Sequence, residues 1–402
     1  MSLAITLAWR NLWRNKRRTG ITVASVVMAV VLSTVMGSMQ QGQYDQMIDN
    51  TVGTFTGHLQ IQAWGYLDEP TLDRSMDHVE VPHHQEVRVL VPRLDTYALA
   101  SGHARSKPAM VVGIDIEAER ELSAPHTKLV EGRYFEDGAE RGVLVAQGLA
   151  EALDIALGDS LILLGSGYQG QSAFGLLPVV GILKFSVPEL NAAMVYMPLE
   201  AAQEFTAAYG RVTTISVLLH HPAQMSRVAE ELQTDLPEGL VALDWPQLMP
   251  ELVQAIQADR GSSYIILMIL YMVVGFGILG TVIMMTAERK YELGVMLSIG
   301  TSRGLLMRML ILEMAFITLM GTVIGIVASL PILFWYHWNP MEFTGEMADA
   351  ILEYGMEPFI RFSLDPMIPL IQGAVILMLT ALISLQPVFH MRKLDAVSSM
   401  RK

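Results

Sequence analysis

The chain has 402 residues, 52% of them hydrophobic, with a mean hydropathy of +0.39 and a formal net charge of −13. The hydrophobic content exceeds that of ordinary soluble proteins, but 17% charged residues is too many for a purely membrane-embedded chain, so we expect membrane spans attached to a sizeable soluble domain. The absence of cysteine excludes disulfides and cysteine zinc sites, and the acidic balance argues against general nucleic-acid binding.

The first 18 residues predict an amphipathic helix on the inner face of a membrane, with apolar and basic residues on opposite sides. The apolar side holds Ile5, Ala8, Trp9, Leu12 and Trp13, and the polar side holds Thr6, Arg10, Arg14 and Arg17. A simple basic anchor before the first span is an equally good interpretation.

Four stretches are long and apolar enough to cross a bilayer, which takes roughly 20 apolar residues. They are residues 21–39, 264–286, 309–335 and 367–391. The first also has features of a signal peptide, but its long basic segment is patterned as a helix and favours a retained span.

The charges predict the side of the membrane that each segment occupies. Residues 1–20, 287–308 and 392–402 are basic, whereas residues 40–260 contain 30 acidic and 13 basic residues and residues 339–366 contain six acids and one arginine. Short basic segments stay in the cytoplasm, so we expect both termini inside and the large domain outside.

The predicted fold class is an α-helical membrane protein with four transmembrane helices and a large extracytoplasmic α/β (α+β) domain inserted between helices 1 and 2. The predicted order is a cytoplasmic amphipathic helix (1–20), the first span (21–39), an outer domain with helical stalks (40–263), the second span (264–286), a cytoplasmic coupling helix and loop (287–308), the third span (309–335), an outer loop (336–366), the fourth span (367–391) and a cytoplasmic tail (392–402).

Strand-like and helix-like segments alternate in the outer domain. The predicted strands are HLQIQA, MVVGIDI, SLILLG, LPVVGIL, AAMVYM and TTISVLL, and the predicted helices are AQGLAEAL, LEAAQEFTAAY and AQMSRVAEELQTDL. MQQGQYDQMIDNTVG and PQLMPELVQAIQADRGSSYIIL predict the helical stalks that join this domain to the first two spans.

Residues 287–299 predict a short charged helix between two long apolar stretches, and Gly300 is placed to end it. Glu288 and Glu292 share one face, which costs a few tenths of a kcal/mol unless a basic group meets them. That face either docks a cytoplasmic partner or is simply solvated.

The stretch ERKYELGVMLSIGTSRGLLMRMLILEMAFITLMGTVIG resembles the signature of the FtsX/MacB-type ABC transporter permeases. The matching positions are Glu288, Arg289, Glu292, Gly294, Gly300, Glu313, Gly321 and Gly325. LAWRNLWRNKRRTGITVASVV resembles the opening of that family, GHLQIQAWGY its lipoprotein-releasing LolC/LolE branch, and LVEGRYFEDGAERGVLVAQGLAEALDIALGDSLILL its periplasmic core domain. The tail LDAVSSMRK matches only loosely.

The resemblance implies that residues 287–300 are a coupling helix that docks a cytoplasmic ABC ATPase dimer. The ATPase-coupling residues would be Glu288, Arg289, Glu292, Gly294 and Gly300. It further implies a non-catalytic subunit of the bacterial inner membrane without a cofactor, since ATP and Mg would be bound by the ATPase. A second permease subunit, a periplasmic acceptor protein and membrane lipids are the other implied partners.

Two other motifs are weak. GSGYQG, residues 165–170, matches a dinucleotide fingerprint formally, with Glu189 further on, but a strand-like run follows it where a helix is required, so a hairpin loop is the better interpretation. No glycine precedes a lysine, so the P-loop is absent. The histidines of DHVEVPHH (His78, His83 and His84) form a conceivable metal cluster, but proline and local acidity favour a solvated loop.

Glu313 is the one carboxylate within a predicted span, and we expect it to pair with Arg308 near the inner interface rather than to relay protons. The spans otherwise offer apolar surface, with glycines that allow helices to approach closely at Gly275, Gly277, Gly280, Gly321 and Gly325. This favours mechanotransmission, in which ATP-driven closure inside moves the outer domain. A substrate entering from the outer leaflet would contact Val27, Val31, Val35 and Tyr271.

Three functions remain open on the sequence. The leading one is an ATP-driven machine that releases lipoproteins or other amphipathic substrates. Its rival is an FtsX-like transmission protein that transports nothing and relays the ATPase state to an outer partner such as a cell-wall hydrolase. A secondary transporter is disfavoured by the single intramembrane acid and the small number of spans.

Overall fold

The computed structural model describes residues 3–14, 16–77, 81–103, 105–288, 290–348 and 358–386. The chain divides into two compact units. The helical unit comprises Met1–Asp45, Ile256–Met341 and Ile360–Lys402, and the sheet unit comprises Gln46–Ala255 and Glu342–Phe359.

The described α-helices are numbered in chain order. They are α1 (Leu3–Arg14), α2 (Lys16–Thr51), α3 (Ile116–Leu122), α4 (Gln147–Leu153), α5 (Pro188–Ala193), α6 (Leu199–Thr206), α7 (Met225–Asp235), α8 (Trp245–Leu248), α9 (Pro250–Glu288), α10 (Lys290–Ser298), α11 (Arg303–Trp338) and α12 (Met367–Ile383).

The described strands are numbered in the same way. They are β1 (Leu59–Ala63), β2 (Met76–Asp77), β3 (Val87–Ser101), β4 (Ser106–Ile114), β5 (Leu129–Gly132), β6 (Val143–Ala146), β7 (Ser160–Ser166), β8 (Ser172–Leu183), β9 (Met194–Pro198), β10 (Arg211–Val212), β11 (Thr214–Leu219), β12 (Leu240–Asp244), β13 (Met341–Glu342) and β14 (Phe359–Ile360).

Three helices of the described chain are long and apolar enough to cross a membrane: Thr19–Asn50, Pro250–Glu288 and Arg303–Trp338. They contain the first three predicted spans. The fourth predicted span forms α12, whose 17 residues measure about 26 Å at 1.5 Å each, against roughly 30 Å of hydrocarbon. The last residues of that predicted span, 387–391, lie outside the described residues, so the structure shows three helices of spanning length where the sequence predicts four.

Two glycines of α11 allow it to pack closely on α2. A β-carbon on Gly321 would lie 2.8 Å from the β-carbon of Val26, and one on Gly325 would lie 2.7 Å from that of Val30. The two glycines are four residues apart on α11, and the two valines are four residues apart on α2. The same glycine–valine contact therefore recurs one helical turn later. Any larger residue at either glycine would force the two helices apart.

Close helix approach is predicted at three glycines of α9. Gly275 is buried, and its β-carbon position lies 3.5 Å from the Leu379 side chain of α12, whereas no described atom lies within 4 Å of that position in Gly277 or Gly280. The same helix exposes a band of large apolar side chains. Among them are Tyr264, Ile265, Met268, Ile269, Met272, Val273 and Phe276. Gly277 and Gly280 therefore belong to an exposed apolar surface of the helical unit.

The main sheet of the sheet unit contains a closed ring. Its ten described strands follow the order β12-β1-β11-β3-β4-β9-β6-β8-β5, and β7 pairs with both β3 and β8. The pairs β3–β4, β4–β9, β9–β6, β6–β8, β8–β7 and β7–β3 therefore form a ring of six strands. The strands β12, β1 and β11 extend the sheet from β3, and α7 packs against them over a second, smaller core.

The predicted strands and helices of this domain are confirmed, but the sequence does not predict β3, which at 15 residues is the longest described strand. Its residues 87–93 pair with β11, and its residues 93–101 pair with β4. The strand therefore belongs to both cores.

A buried ion pair lies where the two parts of β3 meet. Arg93 and Glu119 are 1% and 0% exposed, and the guanidinium binds both carboxylate oxygens, with Nε donating to Oε2 at 2.9 Å. Arg93 also donates to the carbonyl of Phe55, and the Ser123 hydroxyl donates to Glu119. Burial alone would lower the pKa of Arg93, but the Glu119 carboxylate raises it above its ordinary value, so the guanidinium remains charged.

Candidate functional site

The candidate site is the connection between α9 and α11. The described residues of the predicted helix 287–299 are helical up to Ser298: those up to Glu288 belong to α9, and Lys290–Ser298 form α10. Arg289 lies outside the described residues. Glu288 is exposed at the end of α9.

Gly300 ends α10 as predicted. Its φ of +99° is in the left-handed region, which glycine adopts without a side-chain clash. The Thr301 N–H donates to the carbonyl of Met296 at 3.0 Å, and the Gly300 N–H donates to that of Leu297 at 3.1 Å. These two bonds form a Schellman motif. Ser302 then caps α11, because its hydroxyl accepts from the N–H three residues later at 3.3 Å.

One side of α10 is packed and the other is exposed. Met296 and Leu297 pack against the buried side chains at the start of α11, and Gly294 is buried. Tyr291 and Ile299 are 62% and 79% exposed. The helix therefore presents a surface of aromatic, aliphatic and acidic character on a fixed support.

Helix α1 is part of that support. The predicted amphipathic helix is confirmed: Ala8 and Leu12 are buried, and Ala8 packs with Leu306 of α11. The Trp9 ring meets the Phe316 ring edge-on, with 5.7 Å between the centroids.

Arg14 at the end of α1 forms an ion pair with Glu292 of α10. The side chains are 54% and 45% exposed, so the pair contributes no more than about 1 kcal/mol to stability. Its importance lies in position, since it joins α1 to the predicted coupling helix. The sequence shows both charges but not their contact, because 278 residues separate them.

The predicted pair of Arg308 with Glu313 is not found in the described chain. Arg308 is exposed and Glu313 is fully buried. Five residues along one helix turn through about 140°, which places the two side chains on different sides of α11. Glu313 is therefore buried within the helical unit and is not without an interaction partner.

The predicted substrate contacts lie on two helices. Val27, Val31 and Val35 form a half-buried stripe along α2. Tyr271 of α9 is half-buried as well, and its hydroxyl donates to the side-chain oxygen of Gln372 on α12, a contact that the sequence does not predict. The tyrosine is therefore tied to a second helix of the same unit.

The two weak motifs have structural explanations. Residues 165–170 join β7 to β8 in an antiparallel hairpin, as predicted. His84 pairs with Glu231 of α7, with Nε2 2.8 Å from the carboxylate. His78 lies outside the described residues, within which no group of three or more metal-binding side chains is found.

Two family models match the chain. The MacB-like periplasmic core domain matches residues 19–235, which is more than half of the chain, and the FtsX-like permease C-terminal domain matches residues 264–396.

Similar proteins include the lipoprotein-releasing system transmembrane protein LolE of Haemophilus influenzae, 23% identical over 71% of this chain and 70% of the relative. The corresponding LolC of Xylella fastidiosa is 24% identical over 61% of this chain and 60% of the relative, so the match spans less than two thirds of that protein.

Similar solved structures include the extracellular domain of the noncanonic ABC-type transporter YknZ from Gram-positive bacteria. It is 16% identical with a TM-score of 0.34, and the match covers 46% of this chain and 99% of that one. The periplasmic region of MacB from Actinobacillus actinomycetemcomitans is 14% identical with a TM-score of 0.36, over 53% and 98% of the two chains.

Proposed function

Because the chain belongs to the FtsX/MacB-type family of ABC transporter permeases, we propose that it is the membrane subunit of a transporter that releases lipoproteins or other amphipathic substrates from the outer leaflet of the bacterial inner membrane. ATP hydrolysis takes place in a separate cytoplasmic ATPase dimer, which binds ATP and Mg. A second permease subunit completes the complex, and a periplasmic acceptor receives the substrate. The similarity to the LolC and LolE proteins supports this substrate class.

In this proposal both termini are cytoplasmic and four helices cross the membrane. The fourth is α12, extended beyond its described residues over the rest of the apolar stretch to residue 391. The basic segments 1–20 and 287–308 favour the inside, and the sheet unit then lies outside because one span separates it from each of them.

The observation that carries the proposal is the geometry of α10. Its exposed face combines Tyr291 and Ile299 with the carboxylate of Glu292, which is a suitable surface for a protein partner. Its other face is packed on α1 and α11, so a force applied by an ATPase is transmitted to the spans. Helices α2 and α9 each continue without a break from the helical unit into the sequence of the sheet unit. A movement at α10 therefore reaches the outer domain by mechanotransmission.

The sheet unit offers a surface for an amphipathic substrate or acceptor. Leu99, Leu164 and Phe174 lie opposite one another on β3, β7 and β8, and all three are exposed. Tyr97 and Leu176 extend this exposed apolar row. Contiguous exposed apolar side chains of this kind mark binding surfaces on soluble domains.

A charge swap tests the docking of the ATPase. Glu292→Arg should weaken ATPase binding by about tenfold, a loss of about 1.4 kcal/mol, since it places a positive charge in the contact. The double variant Arg14→Glu/Glu292→Arg restores the ion pair within the chain but still presents the wrong charge, so it should remain weak. Affinity is measured between the purified chain in nanodiscs and its ATPase.

Glu346→Arg is the matched control, because it makes the same charge change at an exposed residue of the predicted outer loop and should leave ATPase binding unaltered. Full recovery of affinity in the double variant would contradict the proposal, because Glu292 would then act only through Arg14.

Photo-crosslinking tests the substrate class. Crosslinkers at Val31 and Tyr271 should capture a lipoprotein in the complete complex, whereas one at the fully buried Ile376 of α12 should not. If neither Val31 nor Tyr271 captures lipoprotein while ATP still moves the outer domain, the relay function replaces release.

A further inference from the structure

A cavity of about 160 Å³ lies between α1, the start of α2 and α11. Its wall is formed by Trp9, Leu12, Trp13, Val23 and Met320. Apolar walls of this kind favour contact with apolar groups over contact with water. The cavity is therefore suited to a segment of hydrocarbon chain rather than to water.

The wall of the cavity includes one basic residue. Lys16 is exposed and is the one charged residue among those described that line it. Arg10, Arg14 and Arg17 are exposed nearby in sequence, and residues 1–20 contain no acid. Arg14 is engaged by Glu292, but no ion pair to Lys16 occurs within the described residues.

Two further wall residues are Thr19, whose hydroxyl is already hydrogen-bonded, and Gly20. The Thr19 hydroxyl donates to the carbonyl of Leu12 at 2.9 Å, which ties the start of α2 to α1. Gly20, next to it, has no described atom within 4 Å of its β-carbon position. The wall thus combines apolar surface and open space with a single ammonium group.

We propose that this cavity is a binding site for an anionic phospholipid of the inner leaflet. One acyl chain enters the cavity between the two tryptophans, and Lys16 binds the phosphate. The site rests on the proposed orientation, in which α1 lies at the inner membrane face, where anionic headgroups and indole rings meet. Because α1 also carries Arg14, a bound lipid stabilises the helix that holds the coupling helix through Glu292.

The test uses the quenching of tryptophan fluorescence by brominated lipid. The full chain, with Trp64, Trp245, Trp335 and Trp338 replaced by phenylalanine, is reconstituted without ATPase in nanodiscs that contain brominated phosphatidylglycerol or brominated phosphatidylcholine. Trp9 and Trp13 then report the lipid at the cavity. The phosphatidylglycerol should reach half-quenching at a mole fraction about fivefold lower, which corresponds to one charge near the surface contributing about 1 kcal/mol.

Two variants separate a site from general attraction. Lys16→Gln should remove the fivefold preference, whereas Arg17→Gln, the same charge change one residue away and outside the cavity, should alter it less than twofold. Gly20→Leu should fill the cavity and abolish preferential quenching. Gly304→Leu, at another open and exposed glycine, should not.

Equal quenching by the two lipids would overturn the proposal, as would equal losses in Lys16→Gln and Arg17→Gln. Lipid preference that survives Gly20→Leu would overturn it as well. Because these readouts need neither ATPase nor transport substrate, their failure is distinguishable from a failure of the proposed function.

Discussion

Removal of Glu119 should severely destabilise the sheet unit. In Glu119→Leu, the Arg93 guanidinium remains 1% exposed and keeps only the Phe55 carbonyl among the partners described above. The Ser123 hydroxyl also loses its acceptor. Breaking a buried pair by removing one partner costs about 3–5 kcal/mol, and the stranded hydroxyl adds about 1 kcal/mol. At about 2–4 °C per kcal/mol for a domain of this size, the unfolding midpoint should fall by roughly 10–20 °C.

The assay is a double-mutant cycle on the full chain in detergent. Arg93→Met, Glu119→Leu and the double variant are compared by thermal unfolding, and hydrogen exchange in β3 and α3 locates the change in the sheet unit. The double variant should recover about 3 kcal/mol relative to the sum of the single variants, because two apolar side chains need no ionic partner.

The control is Glu204→Leu, which removes the exposed pair of Arg141 with Glu204. That pair has a comparable separation of 2.8 Å but side chains that are 72% and 52% exposed. It should cost no more than about 0.5 kcal/mol. If Glu119→Leu lowers the midpoint no further than Glu204→Leu, the reasoning from burial is refuted.

Three further results are expected. A thiol reagent that cannot cross the membrane, added from outside, should label a single cysteine placed at Glu140 of this cysteine-free chain but not one placed at Val295. Labelling at 295 and not at 140 would refute the proposed orientation. Gly325→Leu should lower the stability of the helical unit by about 1–3 kcal/mol in thermal unfolding, whereas Gly277→Leu, at an open position, should be near neutral. Burial lowers the pKa of Lys128 to about 8, below its value in the unfolded chain. The free energy of unfolding should therefore rise between pH 8 and 10 relative to that of Lys128→Met, and the same pH dependence in both proteins would contradict this.

The sequence predicts those features that depend on local pattern. The first three spans follow from runs of apolar residues, and the strands that it identifies follow from short β-branched runs between turn residues. Gly300 and Ser302 are predictable because a helix end needs a residue of positive φ and the next helix needs a capping side chain.

Features that depend on distant residues are not predictable in this way. The strand β3 contains Pro92, Arg93 and Asp95, which are poor strand signals, and Arg93 is buried only because Glu119 meets it on α3. The contact of Arg14 with Glu292 has no local signature. The exposure of Gly277 and Gly280 on α9 likewise depends on which helices pack beside them, which their spacing does not reveal.

The closed ring of the sheet unit has a consequence for biosynthesis. Its last strand in sequence, β9, lies between β4 and β6, and the parallel pair of β4 with β9 joins Met110 to Met194, 84 residues later. In the proposed orientation this whole segment must cross the membrane before the ring can close. At a synthesis rate of roughly 5–20 residues per second, β9 is synthesised about 4–17 s after β4. The outer domain therefore reaches the far side of the membrane as an open chain, and its slow, non-local closure begins only there.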